Sequence, residues 1–251
     1  MNWKLIKEFR IVFATLIAIP VFLMLDSPLG DAWFGQGQWV ATGIVGVVFL
    51  FGLRHFNRRT RDIMLIGMVV GFCGEILFSL ILGMYHYRLD NIPIWVIFGH
   101  GMIFAFAYRV IRKPSIRQYE IPIQLTLLIF TISFSLFWLI TQNDWFGFLG
   151  TLLFVVILTQ TKSSRTFFLF MYLVVLYIEL VGTATQCWWW PPTFLGIEYL
   201  PSSANPPSGI AVFYFIFDIA VFWLYFHVFY PKKLHRYRRF TLFKNAKLKN
   251  P

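Results

Sequence analysis

The 251-residue chain is 58% hydrophobic and only 13% charged, with a mean hydropathy of +0.67. A water-soluble fold must present a largely polar exterior, which this composition does not supply. The net charge of +11 is not a nucleic-acid signal: eight of the 22 basic residues crowd into Lys232, Lys233, Arg236, Arg238, Arg239, Lys244, Lys247 and Lys249, directly after a hydrophobic run. Such a cluster is attracted to anionic lipid headgroups, so the expected partner is the bilayer and not a nucleic acid.

A helix needs about 20 predominantly apolar residues to cross a bilayer core of about 30 Å. In chain order, the apolar segments 11–25, 38–54, 63–84, 92–109, 120–141, 145–161, 166–187 and 209–230 predict an all-α membrane bundle of eight transmembrane helices. The first has the length of a signal-peptide core, with Gly30-Asp31-Ala32 as a small-x-small site, but the repeat described below favours an uncleaved helix. With the N-terminus inside, 21 of the 22 basic residues fall on the cytoplasmic side and only Arg88 lies outside. That asymmetry predicts cytoplasmic N- and C-termini, and the expected location is a bacterial inner membrane. Trp33, Trp39, Trp95, Trp145 and Trp188 to Trp190 fall near the outer ends, where indole rings settle at the headgroup level. The run Trp188-Trp189-Trp190-Pro191-Pro192 opens the longest outer loop, whose prolines stiffen it into either a lid or a plug.

An internal duplication emerges from the spacing. Arg61 precedes Glu75 by fourteen residues and Arg165 precedes Glu179 by the same interval. At that offset of 104, Leu65 faces Leu169, Val70 faces Val174, Ser79 faces Thr183 and Tyr85 faces Trp189. Four crossings per copy is an even number, so both copies point the same way, related by an axis along the membrane normal. The expected organisation is a first four-helix unit over 1–114, a second over 115–231, and a basic cytoplasmic tail over 232–251.

Three acids lie inside predicted spans, Glu75, Glu179 and Asp218, and His100 joins them. An unpaired charge in hydrocarbon costs about 2.5–3.5 kcal/mol on insertion scales, so such groups face a protein interior and find partners. Counted from the helix ends, all four reach similar mid-membrane depths and look like one site, here the candidate catalytic set. Helical spacing extends the polar stripe outward. Glu75, Ser79 and His86 share one face, Glu179, Thr183 and Gln186 another, and Tyr214 lies a turn from Asp218. With Trp189 from the loop, Ser79, His86, Thr183, Gln186 and Tyr214 are candidate substrate-binding residues along a crevice from the outer surface. The alternative for these stripes is interhelical hydrogen bonding. Cys73 and Cys187 form no CxxC or Cys/His metal spacing, no metal ligand set is assigned, and the sequence names no cofactor.

Glu75, then Gly83-Met84-Tyr85-His86-Tyr87, then Pro93, resembles the motif of the carotenoid biosynthesis membrane proteins that include carotenoid hydratases. There an intramembrane Glu precedes a Gly-x-Tyr-x-Tyr element and a Pro-containing helix start. This chain carries Gly99-His100-Gly101 where that family has a Trp further along the helix. The resemblance covers about twenty residues and implies an isoprenoid substrate. Independently, a carboxyl among apolar groups holds a proton it can deliver to an alkene or a polar headgroup, with a second carboxyl or His100 to take one back. The 30 Phe suit extended apolar chains and suit plain helix packing equally. Two further readings stand beside the lipophilic-substrate enzyme: a proton-coupled transporter and a membrane assembly subunit.

Overall fold

The computed structural model describes residues 3–161 and 164–231, so the expected basic tail over 232–251 lies outside the described residues. These form ten α-helices and two very short strands. α1 (Trp3–Leu25) bends by 70° into α2 (Pro28–Phe34), and α3 (Gly37–His55), α4 (Arg58–Glu75) and α5 (Ile94–Val110) follow. The short α6 (Pro114–Gln118) leads to α7 (Glu120–Gln142), α8 (Trp145–Gln160), α9 (Arg165–Ala184) and α10 (Ala211–Trp223). Two helices continue as π turns, α4 over Ile76–Ile81 and α10 over Leu224–Phe229. Strands β1 (His86–Tyr87) and β2 (Trp188–Trp189) pair antiparallel across one end of the bundle.

The bundle is all-α and built for a bilayer. On α7 the buried residues are Thr131 and Ser135, while Ile121, Leu125, Ile129, Phe137 and Ile140 point outward. A helix whose polar side chains face inward and whose apolar ones face out is stable only where the surroundings are apolar. Each of the eight expected segments is a helix, but their lengths differ. Five are long and apolar enough to cross a membrane, six if the bent α1–α2 pair is one span. α5 and α8 have 17 and 16 residues. At 1.5 Å per residue they rise about 25 Å, short of a bilayer core of about 30 Å.

Helix starts follow ordinary capping chemistry: Ser27, Asn57 and Asp144 each accept a hydrogen bond from a first-turn backbone N–H of α2, α4 and α8. Asp144 also takes the backbone N–H groups of Ala204 and Ser208 at 3.1 and 2.7 Å, tying the long proline-rich loop to the end of α8.

At the centre, α4, α5, α9 and α10 pack against one another. Gly67, Gly71 and Gly74 make one side of α4 smooth. A Cβ at Gly67 would crowd Phe104, at Gly71 it would run into the His100 ring, and at Gly74 into Phe217. Gly101 likewise abuts the Met64 carbonyl. Small residues let helix backbones approach closely where apolar burial gives no drive between helices. These glycines therefore set how near α5 and α10 come to Glu75.

Candidate functional site

Glu75 ends the regular part of α4. The π turn then leads to Gly83, whose φ of +60° reverses the chain with no Cβ penalty. Strand alternation puts Tyr85 and Tyr87 on one face, and both hydroxyls donate to Glu75 Oε2, at 2.6 and 2.8 Å. Burial first, and then the neighbouring Glu75, pushes both phenols well above their ordinary range, so they remain O–H donors. The other oxygen, Oε1, lies 2.7 Å from His100 Nε2.

Glu179 on α9 is held the same way by different chemistry. Gln186 turns the chain at a φ of +59°. Trp188 and Trp190 then donate their indole N–H groups to Glu179 Oε2, at 2.8 and 3.1 Å. Tyr214 on α10 donates to Oε1 at 3.3 Å. Gly182 makes room for the Trp188 ring, which a Cβ there would strike. The two assemblies meet along the strand pair, with His86 opposite Trp189 and Tyr87 opposite Trp188. They also meet through the stacked rings of His100 and Tyr214, 5.8 Å apart.

Between the carboxyls lies a cavity of about 70 Å³, room for a few waters. Glu75, His100, Glu179, Tyr214 and Asp218 all line it. Asp218 sits one turn beyond Tyr214 and is 2% exposed, and its Oδ2 has no hydrogen-bond partner among the described residues. A buried carboxyl oxygen with no donor is costly, so this group is the unsatisfied member of the site. Beside the cavity, an apolar crevice of about 360 Å³ runs between α1, α3 and α5. Trp95, Gly99, Ile103 and Ile178 wall both spaces.

The structure thus brings together all four candidate catalytic residues, with Tyr214. The other expected substrate-binding residues stand elsewhere. Ser79 donates to the Tyr85 carbonyl at 3.2 Å and steadies the turn. Thr183 donates to the Glu179 backbone carbonyl one turn earlier. Gln186 is an exposed turn residue, and His86 stacks on the half-exposed Trp189 on the strand face away from the carboxyls. At that end Tyr85, Tyr87, Trp188 and Trp190 pack over the two carboxyls in place of the expected crevice, and the apolar crevice lies on the side of α1. Three tryptophans read as headgroup anchors are interior donors: Trp188 and Trp190 to Glu179, and Trp95 to Asp26 at 2.7 Å. The signal that could have found the four donors is their i, i+2 spacing directly after each glutamate helix.

Chemically, the two carboxyls differ in what their partners can exchange. An indole N–H only donates, so Glu179 Oε2 is a fixed acceptor and a proton on this group sits on Oε1, towards Tyr214. Across the 2.7 Å contact, Glu75 and His100 share one proton position that either can hold. Among the described residues no three His, Cys, Asp or Glu side chains converge as metal ligands would. No protein-family model, curated protein or solved structure matches the chain.

Proposed function

We propose that this is an intramembrane enzyme that performs acid–base chemistry on a lipophilic, isoprenoid-like substrate. One observation carries the reading: three buried carboxyls and a histidine line a small cavity that shares a wall with a much larger apolar crevice. A small acid-bearing cavity alone would suit water or an ion, and an apolar crevice alone would suit a packing lipid. Side by side they suit an extended apolar molecule whose reacting carbons reach a proton donor and acceptor. Glu75–His100 delivers the proton and a carboxyl on the opposite wall takes one back. The resemblance to carotenoid biosynthesis membrane proteins belongs to this proposal. Its motif residues Tyr85 and Tyr87 are the Glu75 donors, and Pro93 starts α5, which carries His100.

The proposal includes eight crossings with both termini cytoplasmic, in a bacterial inner membrane, and a duplicated four-helix unit. The cradles support the duplication. Glu75 takes donors from ten and twelve residues on, and Glu179 from nine and eleven. The first copy has one residue more, and there α4 runs through a π turn, whose i→i+5 bonds hold one residue more than an α turn. Aligned on those donors, the offset becomes 103 beyond the glutamates. The strand register is then centred on the equivalent pair His86 and Trp189, as a twofold axis through that pair requires.

A second reading, a proton-coupled carrier, draws on Asp218, the unpartnered acid facing the cavity. Mass spectrometry of lipids extracted from the purified protein separates the two. A co-purifying isoprenoid at near-stoichiometric amount is the expected result. Its absence, together with proton-linked uptake in proteoliposomes, would overturn the enzyme reading.

A further inference from the structure

The crevice between α1, α3 and α5 does not end in apolar surface. Arg109 lines it and also lines a second pocket, of about 160 Å³, formed with Asn57, Arg59, Thr60, Tyr108 and Arg112. Three guanidinium groups converge there. They are held by aromatic faces and not by acids: Arg109 lies 4.5 Å from the Phe56 ring centroid, Arg59 and Arg112 lie 5.4 and 5.1 Å from that of Tyr108. Arg112 also donates to the Tyr108 hydroxyl at 3.0 Å. Among the described residues no carboxylate forms a salt bridge with any of the three; Asp62 nearby pairs with Arg58. Cation–π stacking fixes the position of a guanidinium and leaves most of its N–H groups free, which is the arrangement that recognises phosphate.

We infer that the crevice and this arginine pocket together bind one amphipathic lipid, its phosphate-bearing headgroup on Arg59, Arg109 and Arg112 and its chain along α5. The inference rests on the lipophilic-substrate reading and adds the chemistry of the headgroup. Charge complementarity and continuity argue for it: the cationic pocket opens where the apolar groove ends, and one residue, Arg109, belongs to both. The geometry also fixes which part of the ligand reacts. From Arg109 back to Gly99, beside His100, is ten residues of α5, or about 15 Å. A headgroup on the arginines therefore brings a distant stretch of the chain, not the carbons next to the phosphate, to the level of Glu75 and His100. The crevice is more than twice the size of the roughly 150 Å³ apolar cavity that takes up benzene, so an extended chain has room.

The test uses the full chain in phosphatidylcholine nanodiscs, with dodecyl phosphate, dodecanol and inorganic phosphate as separate probes and calorimetry as the readout. Dodecyl phosphate is expected to bind at least tenfold more tightly than either of the others. The double variant Arg59→Gln, Arg112→Gln should lose about tenfold or more towards dodecyl phosphate, as expected for lost charge-assisted hydrogen bonds, and nothing towards dodecanol. Ala18→Phe, which fills the crevice from α1, should weaken both chain-bearing probes; Ala14→Leu provides the same test if the larger ring impairs folding. Equal affinity for inorganic and dodecyl phosphate would make the pocket a free-anion site. Equal affinity for dodecyl phosphate and dodecanol would remove the arginines as receptor. Either result overturns the inference while leaving the acid–base reading standing on its own test, complementation by Glu75→Gln.

Discussion

Replacing Glu75 by Gln keeps the side chain's shape and can keep all three of its hydrogen bonds. The amide oxygen accepts from Tyr85 and Tyr87, and the amide N–H faces His100 Nε2, which accepts when the ring carries its proton on Nδ1. Glu179→Gln is less conservative: the oxygen stays on the two indoles, but the N–H then faces the Tyr214 oxygen and the Tyr214 hydroxyl hydrogen loses its acceptor. The expected folding loss is below about 1 kcal/mol for Glu75→Gln and about 1–3 kcal/mol for Glu179→Gln. What disappears is the carboxyl proton, and with it about 10²–10⁴-fold in rate if these groups act as acid and base. Glu75→Ala is the contrasting perturbation, because it strands three donors. At about 1–3 kcal/mol per buried unsatisfied group, the sum is comparable to the whole stability of a typical fold. The assay is complementation of a gene deletion, scored at membrane abundance matched by immunoblot. Gln variants should be present and inactive, and the Ala variant should be depleted. Full complementation by the double Gln variant would reduce both acids to packing groups. Depletion of Glu75→Gln to the level of Glu75→Ala would refute the hydrogen-bond account itself.

Gly71→Ala puts a methyl group where the His100 ring now lies, and the overpacking should cost about 1–3 kcal/mol and lower activity as far as His100→Gln does. Unchanged activity at matched abundance would mean that the Glu75–His100 contact is dispensable. Arg88→Gln removes the charged partner of Asp26 and Asp31, 3.3 and 2.6 Å away at the α1–α2 bend, and leaves Asp26 buried with the neutral donors Trp95 and Gln38. A loss of about 3–5 kcal/mol is expected, read as a lower thermal midpoint in detergent, and Asp26→Asn in the same chain should recover part of it; an unshifted midpoint would refute the clasp. For topology, an alkaline phosphatase fusion after Asp144 should be active and one after Lys162 inactive, and the reverse order would remove the eight-span proposal.

The helices and the acids were legible for the same reason: hydrocarbon penalises anything else. An apolar run announces each helix, and Glu75, Glu179, His100 and Asp218 stand out because a bilayer charges for every ionisable group. The count of spans was less legible, since composition marks α5 and α8 as apolar but not where their ends curl into loops. The donors were missed because two-residue strands leave no periodicity to read. Trp188 and Trp190 have the same composition whether they face headgroups or a carboxyl, and the deciding facts are the backbone turns at Gly83 and Gln186. The constant offset of 104 matches the two glutamates but not their donors, which follow at ten and twelve residues after Glu75 and at nine and eleven after Glu179, and the π turn after Glu75 accommodates the extra residue.

The two cradles share a plan and differ in their atoms, and the difference distributes the chemistry. Around Glu179 the two Oε2 donors are indoles, which cannot accept, release or pass on a proton at any ordinary pH. That carboxyl is clamped in place, with one oxygen left to face Tyr214 and the cavity. Around Glu75 every donor is a group that can also accept: two phenols and an imidazole. A proton arriving there has neighbours to move to, and the imidazole stacked on Tyr214 leads towards the opposite carboxyl. Asp218 adds a third acid at the cavity wall, whose Oδ2 has no hydrogen-bond partner among the described residues. Under the acid–base function proposed above, these differences make Glu75–His100 the pair to exchange protons, Glu179 the carboxyl held at fixed geometry, and Asp218 the group left to hydrogen-bond the substrate.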